Sequence, residues 1–460
     1  MLAGLFLSLS TSVPTSWPSP GDFLGPVRLP RPAPRADDEP LLAVRAARVI
    51  VRPGEEIENG VVLIERGIVL AVGKDVPIPE GARVIEGKVA CAGFVDAWSS
   101  LGLDPGSVTD LNLTPSSRSL DAFDPWQQPQ ERVEALRGGV TSARVQVGRA
   151  SIFAGLGALV YTDERSTPAV LLEDACLAGS IGLARGGRVP DVFDRVAEVD
   201  RLIGALDKAR RYRESQVEFR EELKTWLEGV AKKVTELEKD FKKAKKDREK
   251  EEKDAKDKGK EFKEKKFKED KKPRAVRFDP DDEAIARAVE GEVPLVVEVH
   301  RASEIRRLLD KTEPFDRLRL VIAGATEARP FAEELAERDI AVIVWPTPMG
   351  TWRADEYQAH DLALAGELAR AGVRVLIGSG GGSDARELRF LAALAVGHGM
   401  DAADALAAIT SAPARVFDAA QRVGTLERGR SADVLVFDGD PLDTGAPLRF
   451  VIARGRLVVQ

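Results

Sequence analysis

From Leu41 onward the chain alternates apolar and polar positions in short runs broken by turn residues. LLAVRAARVIV, GVVLIERGIVLAVG and ARVIEG have the period of two expected of half-buried strands. SADVLVFDGD and LRFVIARGRLVV repeat that character at the C-terminal end, around a Gly–Asp–Pro turn. Between these ends the pattern changes. Short, nearly continuous apolar runs (VACAGFVDAW, GGVTSARVQV, PAVLLED, VPLVVEVH, RLRLVIAGA, IAVIVWPTP, GVRVLIGSGGG) alternate with amphipathic stretches such as ASEIRRLLD, RPFAEELAERD and HDLALAGELARAG. Parallel strands buried on both faces read as continuous apolar runs, and helices between them mark βα units. Seven or eight such units in roughly 300 residues favour a closed barrel over an open sheet. The fold expected is therefore α/β: a (β/α)8 barrel over 93–419, with a small β-sandwich built from both chain ends, 41–92 and 420–460.

One segment, 208–274, interrupts the barrel. Phe219, Leu223, Trp226, Val230, Val234, Leu237 and Phe241 follow a 4-3-4-4-3-4 spacing, which predicts a heptad seam on one long helix. Beyond Phe241 the sequence is almost all charge, with Phe262 and Phe267 the exceptions, and reads as a charged helical insertion. Such a seam must bury against the barrel, a returning helix or another subunit, so helix-mediated self-association is one expectation. At the front, 1–40 combines a short apolar stretch, Leu2 to Leu9, with a Pro-rich linker. It gives a weak case for export, since no Lys or Arg precedes the apolar stretch. No run of 18 apolar residues exists, so no transmembrane segment is expected.

Composition then narrows the chemistry. At 460 residues with 43% hydrophobic and 31% charged residues, disordered and collagen-like classes are excluded. Cys91 and Cys176 are the only cysteines, which leaves no disulfide framework and no thiolate cluster for a metal. A buried thiol is the expectation for each. The net charge of −7 is uneven. Residues 231–274 hold 20 basic and 13 acidic side chains, a net +7, leaving −14 on the rest. With no basic face on the body and acidic residues threaded through the lysines, no nucleic-acid partner is expected. Three histidines, His300, His360 and His398, are few for a metalloenzyme.

Several segments, in order, resemble the metal-dependent amidohydrolase superfamily in its imidazolonepropionase-like branch. They are ENGVVLIERGIVLAVGKDVPIPEGARVIEG with AGFVDAWSSLGL, then LDAFDPWQQPQERVEALRGGVTSARVQVG, then VHRASEIRRLLD, and AALAVGHGMDAADALAAITSAPARVFDAAQRVGTLERGRSADVLVFDGDPL. The resemblance covers most of 41–460 outside the insertion. It implies metal ligands at the C-terminal ends of the barrel strands: His-x-His on strand 1, one His each on strands 5 and 6, and an Asp on strand 8, with a carboxylated Lys on strand 4 in some members. Such a metal lowers the pKa of a bound water from 15.7 to ~7 and polarises the scissile carbonyl. Here Trp98 and Ser100 stand at the strand 1 positions, Glu298 at the strand 5 position with His300 two residues on, Gly324 on strand 6 and Gly380 on strand 8. Indole has no lone pair to give, and Ser is a poor ligand for a transition metal. No Lys lies between Lys88 and Lys208 to supply a carbamate.

No metal or other cofactor is therefore expected. For His300 three roles stay open: leftover ligand, general base, or hydrogen-bonded wall residue. The run from Gly378 to Ser383 reads as a flexible loop after strand 8, with an anion cradle as the sharper alternative. No Ser sits in a nucleophile-elbow context. The expected function is an amidohydrolase-related barrel lacking the usual ligands and used for binding or scaffolding, its partner an unidentified small molecule or protein. The alternative is an active hydrolase of C–N bonds built around Glu298, His300 and Asp384, with a single divalent metal. A third possibility makes the insertion a partner-binding arm.

Overall fold

The computed structural model describes residues 41–459 apart from 105–111, 125, 127–128, 149–150, 164–169, 183–190, 259–270, 347–360 and 382–383. The export stretch, the linker, Phe262, Phe267, His360 and part of the glycine run lie outside the described residues. No described helix is long and apolar enough to cross a membrane.

The N-terminal strands are β1 (Leu42–Arg52), β2 (Glu55–Glu65), β3 (Ile68–Gly73) and β4 (Arg83–Ala92); the last three strands are β13 (Val434–Phe437), β14 (Leu448–Ala453) and β15 (Arg456–Val459). They form one seven-stranded sheet in the order β15-β14-β13-β4-β1-β2-β3. Both chain ends build this unit, as expected, and they do so within one sheet. The two chain ends share hydrogen bonds edge to edge, β13 pairing antiparallel with β4, so there are not two separate sheets facing each other. The sheet instead curls on itself. Val69 N–H donates to Arg430 O and Ala432 N–H to Gly67 O, drawing the β3 edge to the approach of β13. Val44, Val62, Ile64, Val434 and Ile452 fill the interior of the curl. This is the alternate-position set that the period-two pattern sends inward.

Eight further strands form the second sheet: β5 (Phe94–Ser99), β6 (Val140–Val145), β7 (Gly155–Tyr161), β8 (Val170–Ser180), β9 (Leu295–Val299), β10 (Leu320–Gly324), β11 (Ala341–Val344) and β12 (Val375–Ile377). Neighbours are hydrogen-bonded in chain order. Gly380 N–H donates to Trp98 O across the remaining gap, making a nearly closed barrel. The helices are α1 (Pro129–Arg137), α2 (Val192–Lys258), α3 (Pro280–Val289), α4 (Ala302–Thr312), α5 (Ala332–Glu337), α6 (Leu364–Arg370), α7 (Leu388–Gly397), α8 (Ala402–Ala408) and α9 (Ser411–Val416). The barrel is not all parallel, as a strict (β/α)8 would be. β7 runs antiparallel to both β6 and β8. Only nine residues join β6 to β7, fewer than the dozen or so that a parallel crossover needs.

Outward-facing strand residues such as Val297, Val299, Ile322 and Val342 pack under the helices, while Val296, Val321, Ala323, Ile343 and Leu376 belong to a separate inner core. Phe417, just after α9, belongs to that inner core as well. The long helix also departs from expectation. It starts at Val192, well before Lys208, because Val199, Leu202, Leu206, Ala209 and Tyr212 are core residues of the barrel body. Its contact with α3 is sealed by Arg213 and Gln216 on Glu283 and by Lys208 on Asp282.

Candidate functional site

The site lies at the C-terminal ends of β5, β9, β10 and β11 and in the segment following β12. β9 ends LVVEV-His300, so the period of two carries Val296, Glu298 and His300 to the same face. Both polar side chains are buried, and His300 Nε2 lies 3.4 Å from Glu298 Oε1. On its other side, His300 Nδ1 is 2.5 Å from Thr326 Oγ1. Thr326 follows a tight turn in which Gly324 and Ala325 have φ of 80° and 52°. The turn is held to β9 by Ala325 N–H donating to Val299 O and Glu327 N–H to His300 O. Both ring nitrogens of the imidazole are therefore engaged by protein groups.

Around this pair the mouth is aromatic. The His300 ring stacks on Trp345 with centroids 6.4 Å apart and planes 21° from parallel. Trp345 meets Trp98 edge to face at 5.3 Å, an arrangement that the ring quadrupoles favour. The two glycines at the strand 6 and strand 8 positions make room for these rings. A Cβ on Gly324 would fall 2.3 Å from His300 Cε1, and one on Gly380 would fall 3.2 Å from Trp345 Cδ1. Both glycines have φ above 80° or at it, backbone that side chains rarely adopt.

Below the rings sits a group that the sequence reading missed. Arg144 on β6 is fully buried, with its guanidinium 4.4 Å from the centroid of Trp98 and 5.4 Å from that of Phe417. Its Nε donates to Ala97 O and its Nη1 to Cys176 Sγ at 3.1 Å, while Nη2 has no hydrogen-bond partner among the described residues. The signal was present in VTSARVQV: Ser142, Arg144 and Gln146 place a polar side chain at every second position of a buried strand.

Asp96, also buried, accepts from Ser379 Oγ at 2.5 Å, from Ser379 N–H at 2.9 Å and from Trp98 N–H at 3.0 Å. Burial pushes its carboxyl up to about 6 despite these bonds and the nearby Arg144 charge, which pull the other way. Ser379 thus ties the start of the glycine run to β5, where a flexible loop was expected.

The other candidates lie apart. Asp384 is exposed at the start of a 3₁₀ turn; partial burial, and after it the Asp384 charge, raises the carboxyl of Glu131 at the start of α1. Ser100 is at the rim, its carbonyl accepting from Leu103 N–H. His398 caps the end of α7. Cys91 and Cys176 are buried free thiols, and burial pushes Cys91 up. Glu298 and His300 are therefore brought together with Trp98, Gly324 and Gly380, as the strand positions required. Trp345 and Thr326 join them from segments where sequence offered no chemical motif.

Comparison with known proteins bears on this arrangement. Residues 311–458 match the amidohydrolase family. The chain is 23% identical over 416 residues to amidohydrolase tasK of Hapsidospora irregularis, an alignment covering 84% of this chain and 38% of that protein. It thus spans well under half the length of this curated relative. The crystal structure of an amidohydrolase from Thermotoga maritima MSB8 covers 91% of this chain and 100% of its own, with a TM-score of 0.68 and 24% identity. A. niger ochratoxinase covers 91% and 96%, with a TM-score of 0.50 and 15% identity. The fold is that of the amidohydrolase barrels, and the match to the amidohydrolase family falls in the C-terminal third of the chain.

Proposed function

We propose that this chain is an amidohydrolase-type barrel that does not run metal-dependent hydrolysis and instead binds a small molecule or a protein partner. The observation that carries the reading is the ring cluster. A hydrolytic metal needs several imidazole lone pairs, a carboxylate and one open position. His300 has both nitrogens engaged, Trp98 offers none, and the space in front of Gly324 is taken by the His300 ring itself. These residues do not fit a hydrolytic metal. The matched family and the folds of relatives support descent from hydrolases, and the chemistry of the mouth supports loss of the metal step.

A second reading keeps hydrolysis of C–N bonds with an unusual site. The buried Glu298–His300–Thr326 chain favours it, since a carboxylate and a hydroxyl on opposite ring nitrogens are what a general base requires. Metal analysis of protein refolded or expressed with zinc, iron and manganese separates the two. The first reading expects less than a tenth of an equivalent bound, unchanged in His300→Ala. A stoichiometric metal that disappears in His300→Ala, with chelator-sensitive turnover of a cyclic amide, would overturn it.

A further inference from the structure

Two hairpin tips of the curled sheet carry the same uncommon turn. Arg66-Gly67 joins β2 to β3 and Arg454-Gly455 joins β14 to β15, each as a two-residue loop. Both residues of each loop have positive φ, 51° and 80° in the first, 46° and 78° in the second. Such turns favour Asn, Asp or Gly at their first position, because most side chains are strained in left-handed backbone. Arginine is a poor choice for the turn itself, and it stands at both tips. The tips also touch. Ala432 N–H donates to Gly67 O, Ala432 O accepts from Gly455 N–H, and a Cβ on Gly455 would fall 2.7 Å from Gly67 Cα. Strain of this kind gathers at functional sites.

The two tips deliver Arg66 and Arg454 to one cavity of about 280 Å³ between the curled sheet and the barrel. Gln421, Arg422 and Ser431 line it from the segment after α9, and Tyr161 lines it from the end of β7. Tyr161 pairs with Ser142 near the start of β6, so the cavity lies at the end of the barrel away from the mouth. Its polar side chains can all donate. Burial pushes the Tyr161 phenol up to about 12, so it keeps its proton. Gln421 spends its carbonyl oxygen on Arg430 Nη1, which leaves its N–H groups as donors. None of the described lining residues is acidic. Arg454 is matched by Asp163, and Asp433 accepts from Arg454 N–H; both acids are buried and outside the lining. Arg66 and Arg422 have no carboxylate partner among the described residues, Arg422 donating only to Leu171 O.

We propose that this cavity binds a phosphate group, as inorganic phosphate or as a small phosphomonoester. A lining of donors selects a ligand made of acceptors, and the guanidinium fork matches the oxygens of phosphate. The donors arrive from four separate segments and surround the space, which suits a tetrahedral oxyanion better than a flat carboxylate. The volume, near the lower end for ligand sites, leaves room for a few carbon atoms beyond the phosphate. The bound phosphate joins both hairpin tips to the barrel and stands apart from the Glu298–His300 pair.

Isothermal titration calorimetry of the full chain with inorganic phosphate and with glycerol phosphate, at constant ionic strength, tests this. Wild type is expected to bind one equivalent. Arg66→Asn installs a residue that the turn prefers, so it should fold at least as well as wild type yet bind ~10-fold or more weakly. Arg422→Met should weaken binding by a similar factor. Arg428→Met removes an equal charge from an exposed position outside the lining and should change affinity by less than ~2-fold. Tighter binding of the ester identifies an organic phosphate as the occupant, and equal or weaker binding identifies free phosphate; both support the site. No saturable heat up to ~10 mM of either compound, an affinity that Arg66→Asn or Arg422→Met leaves unchanged, or an equal loss in Arg428→Met would each overturn it.

Discussion

At the residue scale, the interior of the protein holds ionisable groups in places that cost stability unless their neighbours compensate. Arg144 is held by two aromatic faces, a backbone carbonyl, a thiol and the Gln146 amide oxygen, with no carboxylate in hydrogen-bond contact among the described residues. Asp96 and Asp433 are both buried, and burial pushes each carboxyl up to about 6. A carboxyl whose pKa is higher folded than unfolded binds its proton more tightly in the native state. Its stabilising effect is complete below about 4 and lost as pH rises through about 6. These two groups should therefore lower stability as pH rises from 4 to 6 and contribute no further change above that. Asp96→Asn keeps the acceptor for Ser379 N–H and Trp98 N–H while removing the charge. It is expected to flatten its share of that slope, about 3 kcal/mol at most, as measured by urea unfolding across pH 4–7. A slope unchanged by the substitution would mean that Asp96 titrates at its ordinary value.

At the element scale, α2 does two jobs in one continuous helix. Its first turns belong to the barrel core, and its outer turns carry the apolar stripe that begins at Phe219. Contacts with the body continue past Lys208, through Arg213 and Gln216 on Glu283. Asp279 N–H lies 3.5 Å from Tyr212 Oη, so the chain returns to the body beside the point where it leaves. Replacing 218–277 by a short Gly/Ser linker should leave the thermal midpoint of the body within a few degrees. Removing 208–274 instead deletes buried Ala209 and Tyr212 and should lower stability by ~3 kcal/mol or more, since large core truncations cost 2–5. Calorimetry on both deletions distinguishes a boundary past Gln216 from the one the charge pattern suggested.

Across the whole molecule, the curled sheet and the barrel are joined by a buried ion pair. Arg454, in the turn between β14 and β15, donates from Nε and Nη2 to Asp163 Oδ2 at 3.0 and 2.7 Å, with Nη2 also 2.6 Å from Oδ1. The guanidinium covers the Tyr161 ring at 4.7 Å, and burial pushes that phenol up to about 12. Removing one partner of such a pair leaves the other charge buried. Arg454→Met should cost ~3–5 kcal/mol in urea unfolding, with Asp163→Asn in the same background recovering part of it. A loss below ~1 kcal/mol would show that the sheet docks through its apolar contacts alone.

What the sequence decided by itself is what depends on neighbours along the chain. The strand and helix runs, the faces on which Glu298 and His300 fall, and the apolar stripe of α2 all follow from backbone periodicity. The resemblance then placed Trp98, Gly324 and Gly380 at equivalent strand ends, where the structure brings them together. Tertiary structure alone decided which side chains meet across strands. The stacking of Trp345 on His300, the Thr326 contact, the burial of Arg144 between Trp98 and Phe417, and the joining of both chain ends into one curled sheet are of this kind. Each joins residues distant in sequence, and only packing determines which rings and charges share a volume and whether any nitrogen remains open to a ligand.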